Sequence, residues 1–254
     1  MHPFIRECVP PILFRLKSKI SKKKVKNVPR RYTPFNYLPR DINVRWIMDI
    51  GANDGSIAKS GLLSFRESKV ICFEPVSTTF NLLKQNLSAF GNRTILHQMA
   101  VSDFNGESEI NLTTCNPANS LIGQSKFYEH YNPSIKPLGK EKVKVIKLDD
   151  FIPDLPASHF DIVKIDVEGL ELSVLRGGEK FFFKSVDMIM IEIAFQREFG
   201  WKHQNYLEVF KFLDSLGYRL INIYDVYNIA YDQEDVLEDM MITQIDCVFR
   251  KRIN

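Results

Sequence analysis

From Val44 onward the chain alternates short apolar runs with segments of helical period, and this alternation limits its fold more than any other feature. The series begins VRWIMDI, SIAKSGLLSFRE, KVICFEP and STTFNLLKQNLSAF. In the last of these, Phe80, Leu83, Leu87 and Phe90 recur at steps of three and four, giving one apolar stripe, and Gly91 stands where a C-terminal cap belongs. TILHQMAVS reads as a third strand. ESEINLTT and KVKVIKL read as additional strands around a Pro/Asn/Gly/Tyr-rich loop, residues 115–140. FDIVKID, helical LELSVLRGG, VDMIMIEIAF, helical NYLEVFKFLDSLG, YRLINIY and TQIDCVFRK complete the order. Continuous apolar strands separated by amphipathic helices imply a doubly wound, mostly parallel α/β sheet covered on both faces. Its ligand is expected beyond the carboxyl ends of the strands, at the topological switch.

The bulk properties narrow the function. With 254 residues, of which 44% are hydrophobic, one core suffices, so residues 41–254 are expected to form one domain behind a basic, partly ordered arm, residues 1–40. The net charge of +3 is too mild for a polyanionic partner, and much of it sits in RLKSKISKKKVKNVPRR, so no nucleic acid is expected. That lysine cluster reads as a solvated tail or a peripheral contact with anionic lipid. Cys8, Cys72, Cys115 and Cys247 show no paired spacing and suggest reduced thiols. No run approaches the roughly 18 apolar residues of a membrane-crossing helix. CVPPILF is short for a secretory core and is followed, not preceded, by the lysines. The expectation is a cytoplasmic protein, at most peripheral at the inner membrane face.

IMDIGANDGS is the most informative turn. An apolar strand ends at Asp49, and Gly51, Asn53 and Gly55 follow at alternate positions before a helix opens near Ser56. The dinucleotide pattern G-x-G-x-x-G is absent, with Asn53 where the central glycine would be. Gly51 frees the turn, Asn53 tolerates a left-handed backbone or bonds the turn, and Gly55 admits the helix. Such a turn suits S-adenosylmethionine, whose amino acid end offers an ammonium to Asp49 and a carboxylate to the turn amides. An ordinary β-turn is the other reading. Glu74 ends the second strand about 25 residues later, where a carboxylate meets ribose hydroxyls in such folds, or caps the next helix. Ser102 and Asp103, after the third strand, are placed for an adenine edge or for a plain turn.

DIVKIDVEGLELSVLRGG carries the other constellation. Alternation puts Lys164, Asp166 and Glu168 on one side of an extended chain, with Gly169 opening a helix. A lysine within a central strand needs a counter-charge, for which Asp49, Asp166 and Glu192 are candidates. The acids form either a structural ion network or the floor of a reaction pocket. A hydroxyl acceptor needs a base, and Asp166 or Glu168 fits this better than His97 or His203. The carboxylates provide no firm metal-ligand set.

DIGANDG, FEP, AVSD, KLDDFI, KIDVEGLELSVLRGG and MIMIEIAF, taken in order, resemble FkbM-like S-adenosylmethionine-dependent methyltransferases, from about Trp46 to Phe195. The resemblance implies a Rossmann-like fold with a seven-stranded sheet whose last strand is antiparallel. It also implies O-methylation of a hydroxyl on a sugar, glycan or related metabolite. Asp49, Gly51, Asn53, Gly55 and Glu74 would bind the cofactor, with Asp166 and Glu168 near the transferred methyl. Enzymes that methylate base nitrogens resemble one another in an Asn/Asp-Pro-Pro-aromatic run, where this chain has DVEG. The competing readings are a nicotinamide-dependent oxidoreductase and a non-catalytic nucleotide-binding module with a membrane-docking tail.

Overall fold

The computed structural model describes residues 34–39, 42–114, 119–121, 136–195, 206–230 and 240–252, without the side chains of 227–230 and 240–243. The expected lysine cluster, His203, Cys8, Cys115 and most of the 115–140 loop lie outside the described residues.

The apolar runs become strands β1 (Trp46–Ile50), β2 (Lys69–Phe73), β3 (Thr94–His97), β7 (Phe160–Ile165), β8 (Val186–Ala194), β9 (Tyr218–Ala230) and β10 (Met240–Lys251) of one sheet. Its order is β3-β2-β1-β7-β8-β10-β9. The pairs from β3 to β8 are parallel, and β10 runs antiparallel to both neighbours. This is the doubly wound, mostly parallel α/β sheet with an antiparallel last strand that the sequence led us to expect. Strand order reverses between β1 and β7, so the switch point lies at their carboxyl ends.

Alternation along the strands feeds two cores. Ile47, Val70, Cys72, Ile162, Met188, Met190 and Val248 face one side, where Ala58 and Leu62 of α1 (Ser56–Ser64) and Leu83 and Leu87 of α2 (Ser77–Leu87) cover them. Met48, Ile50, Ile71, Phe73, Val163, Ile165, Ile189 and Ile191 face the other. A short helix, α3 (Leu148–Phe151), lies on that side with α4 (Glu171–Gly177), α5 (Glu179–Ser185) and α6 (Tyr206–Ser215). Each such buried side chain contributes roughly 1.5–3 kcal/mol, so a charge in this layer forfeits that and adds a desolvation cost.

A smaller sheet, β4 (Ala100–Val101), β6 (Pro137–Ile146) and β5 (Gly106–Thr113), stands beside the large one. The expected single strand over TILHQMAVS is therefore split. The Glu74 amide still bonds the His97 carbonyl at 3.1 Å, but Pro75 has no amide to extend the ladder, and the chain leaves to pair β4 with β6. The helix expected to run through Phe90 ends as α-helix at Leu87 and tightens into a 3₁₀ segment, Ser88–Arg93, in which Gly91 takes φ 52°. At the end of the expected arm, Phe35 and Leu38 are buried beside Ile47 and Leu62, and the Phe35 and Phe65 rings meet edge to face at 5.8 Å.

Candidate functional site

The turn after β1 forms because three consecutive odd positions accept positive φ: Gly51 at 77°, Asn53 at 49° and Gly55 at 82°. A Cβ at Gly51 would lie 1.8 Å from the Asp166 carbonyl, and one at Gly55 would lie 2.6 Å from Leu83. Gly51 thus lets β1 and β7 close at the switch point, and Gly55 seats α1 against α2. The turn amides are largely committed within the protein. Gly51 and Ala52 donate to the Phe73 carbonyl, each at 3.0 Å, and Asn53 donates to Glu74 Oε2 at 3.0 Å. This departs from the expectation that these amides face a ligand carboxylate, because the end of β2 supplies the acceptors.

Glu74 is buried, and its second oxygen, Oε1, accepts the Val76 amide at 2.9 Å. Of the two expected roles, the structure shows the one at the helix: Glu74 holds the Val76 amide at the entry to α2, and it also ties the turn to β2. Burial pushes its pKa up to about 7, against the two amides.

Asp49, next to last in β1, is 1% exposed, and among the described residues neither of its oxygens has a donor in full hydrogen-bond geometry, the Ala58 amide and the Lys164 ammonium being the donors that act on it. Burial raises its pKa, and the Lys164 ammonium, 3.7 Å away, opposes that rise. Lys164 is the register partner of Asp49 and also donates to Asp166 Oδ2 at 2.9 Å. Its counter-charges are these two acids. Glu192, the third candidate, is held instead by a donated bond from Gln244 Nε2. Burial would lower the Lys164 pKa, but Asp166 and Asp49 outweigh it and raise it, so the ammonium stays charged.

The register explains how the remaining acids meet. On the face that carries Ile47, Ile162, Met188 and Val248, the apolar layer gives way toward the carboxyl edge to Asp49, Lys164, Asp166, Glu192 and Asp246. Glu192 pairs with Asp246, and Asp246 with Asp225, across three neighbouring strands. Asp166, Glu168 and Glu192 present oxygens within 4.8 Å of one another, a set that could hold a cation. Burial first, then the Asp166 charge, raises the pKa of Glu168 and of Glu192 well above the ordinary range. The same two causes push Asp246 up to about 8. Acids this close share protons, so they titrate as a group.

Glu168 reaches this group by a different route from the one expected. β7 ends at Ile165, and Glu168 stands in a loop at φ 55°, with the helix starting at Glu171 rather than Gly169. The other expected residues are not brought into contact with the group. Ser102 is buried at the end of β4, where its carbonyl would lie 1.9 Å from a Cβ at Gly177, and its hydroxyl lies 3.3 Å from the exposed Asp103. His97 is packed between Phe73 and Phe151, each ring centroid 5.2 Å away, and burial lowers its pKa.

The sequence reading did not single out Asp246, Glu171 or Ser120. Glu171 begins an amphipathic helix with ordinary spacing, and Ser120 sits in a loop of small polar residues. Asp246 interrupts an apolar strand, TQIDCVFRK, and that interruption was the available signal.

A family model for the methyltransferase FkbM domain matches residues 49–220, the span that holds the turn, Glu74, Lys164, Asp166, Glu168 and Glu192. The chain belongs to the FkbM methyltransferase family. Methyltransferase 1 of Beauveria bassiana is 24% identical over 160 residues, 59% of this chain and 64% of that protein. The 2-O-methyltransferase NoeI of Sinorhizobium fredii is 27% identical over 145 residues, 55% of this chain and 59% of that protein. The chain thus spans about three fifths of the length of these curated relatives. A crystal structure of methyltransferase FkbM from Methylobacillus flagellatus KT is 16% identical, covers 84% of this chain and 45% of that one, and superposes with a TM-score of 0.49. Asp246 and Gln244 lie beyond the matched residues of the FkbM domain.

Proposed function

We propose that the protein is an S-adenosylmethionine-dependent O-methyltransferase acting on a hydroxyl of a sugar, a glycan or glycolipid, or a related metabolite. Membership of the FkbM family and the name of the 2-O-methyltransferase NoeI support this reading. The observation that carries it is the buried Asp49 carboxylate, which among the described residues has no donor in full hydrogen-bond geometry, at a switch point that also gathers Asp166, Glu168 and Glu192.

The residues fit the cofactor. Asp49 would take its ammonium and Glu74 its ribose hydroxyls, on a turn held open by Gly51, Asn53 and Gly55. When bound, S-adenosylmethionine supplies an electrophilic methyl on a sulfonium. The protein has two further tasks: it aligns the acceptor oxygen and removes its proton. Glu168 is the base in this reading, because burial first, and then the Asp166 charge, make its carboxylate more basic. Lys164 holds Asp166 at 2.9 Å, and its charge offsets part of the repulsion that Glu168 feels.

Isothermal titration with S-adenosylmethionine and with a nicotinamide dinucleotide tests the cofactor. Mass spectrometry of methyl hexosides after incubation with protein and cofactor tests the acceptor. A heat of binding for S-adenosylmethionine alone, with a gain of one methyl on a hydroxyl, is expected. Binding of the dinucleotide instead, or transfer only to amines, overturns the proposal.

A further inference from the structure

Glu168 is one of two non-glycine residues with positive φ among the described residues, and it is held on three sides. The Ser120 hydroxyl donates to its backbone carbonyl at 2.8 Å. A single oxygen, Glu171 Oε1, accepts the amides of both flanking residues, Val167 at 3.2 Å and Gly169 at 3.1 Å. Glu171 is 1% exposed, and burial pushes its pKa up to about 7 although the Gly169 and Val167 amides oppose that rise. Ser120 is itself anchored to the small sheet: its amide and carbonyl pair with Asn111 at 3.3 and 2.9 Å, and Asn119 Oδ1 accepts the Thr113 amide at 2.7 Å. A left-handed glutamate persists only where its surroundings determine it fully, and such residues gather at functional sites.

We infer that Ser120 and Glu171 are positioning residues that clamp Glu168 in its left-handed conformation and hold its carboxylate beside Asp166 and Glu192, where it receives the acceptor proton. This rests on the methyl-transfer reading above. It gives the small sheet a task, since β5 is the frame from which Ser120 reaches the loop. It also explains the segment DVEGLE: Gly169 takes φ 100°, and Glu171 must follow at a fixed distance for one oxygen to reach both amides.

The experiment has two arms. The first reads thermal stability without turnover. Ser120→Ala and Glu171→Met are made in the full chain and again with Glu168→Gly, which needs no clamp. The Tm losses are expected to be smaller in the glycine background, and equal losses in both overturn the inference. The second arm uses S-adenosylmethionine and methyl hexosides. Both clamp variants are expected to lose at least about tenfold in kcat, with cofactor affinity and acceptor KM moving less than about threefold. Glu171→Gln, which keeps the accepting oxygen, is expected to restore kcat to within about threefold. Full kcat in Ser120→Ala and Glu171→Met, alongside a dead Glu168→Gln, overturns the clamp alone. Full kcat in Glu168→Gln, with the Tm coupling intact, overturns the catalytic reading and leaves the clamp as a structural device.

Discussion

The two halves of the sheet's carboxyl edge treat buried charge in opposite ways. In the β1–β2 half, Glu74 gives each oxygen a backbone amide, and Asp49 faces Lys164. In the β7–β8–β10–β9 half, Asp166, Glu168 and Glu192 crowd together, Asp246 and Asp225 follow across the sheet, and Lys164 contacts Asp166. In the methyl-transfer reading the first half is the receptor, its groups already held by partners within the protein. The second keeps like charges close, which disfavours ionisation and makes a carboxylate there a stronger base once it has lost its proton. The difference teaches that one edge can hold both an amide-satisfied region and a crowded acidic one, joined through Lys164, which meets Asp49 and Asp166.

The largest expected effect comes from cutting that joint. Lys164→Met leaves Asp49 and Asp166 without their cation, and a loss of about 3–5 kcal/mol in urea unfolding at pH 7.5 is expected, with a smaller loss at pH 5.5. A loss below about 1 kcal/mol would show that the two halves are not coupled. Next, Glu168→Gln should lower kcat by about 10²–10⁴-fold while leaving the cofactor Kd within about twofold. Glu74→Gln should do the reverse, weakening cofactor binding by about tenfold or more in titration calorimetry, with less effect on the chemical step. Equal loss of binding in both variants would erase the distinction between the halves.

Proton linkage gives a third expectation. Glu74 and Glu171 rise from 4.5 to about 7, and Asp246 rises from 3.8 to about 8, so the folded state holds protons that the unfolded chain has released. The stability these three groups contribute is therefore greatest below the unfolded values, falls as pH climbs through about 4 to 8, and levels off above. Denaturant unfolding across that window checks the sign, and Asp246→Asn should flatten the upper part of the slope. Turnover has the opposite trend, because Glu168 must lose its proton to act as a base. The smallest expected effect is Lys140→Ala. Its pair with Glu109 on the small sheet is more than half exposed on both sides, so the change in stability should stay under about 0.5 kcal/mol.

How much of the site could be read from the chain depended on how local its signals were. Asp49, Gly51, Asn53 and Gly55 were legible because the turn that needs them is contiguous, and the positive φ at the last three is what such residues tolerate. Glu74 was legible because an apolar run ends there and Pro75 forbids continuation. Lys164 announced its need for a partner by standing in an apolar strand, though three acids could have met it. Asp246 was not selected because its neighbour across the sheet, Glu192, is 54 residues away and joined through an antiparallel register that no local pattern states. Glu171 and Ser120 were missed for a related reason: their partners are backbone atoms of a loop.

The amino-acid order by itself determined the alternation of strands and helices, the open turn after β1 and the excess of acids in DVEG and its neighbours. These follow from periodicity, backbone freedom and charge, which act over a few residues. Tertiary structure alone decided which acids come together, which oxygen of Glu74 meets which amide, and that a serine bridged to a second sheet grips the backbone of Glu168. Those outcomes depend on strand register and chain crossing, where a shift of one residue would turn each side chain to the other face.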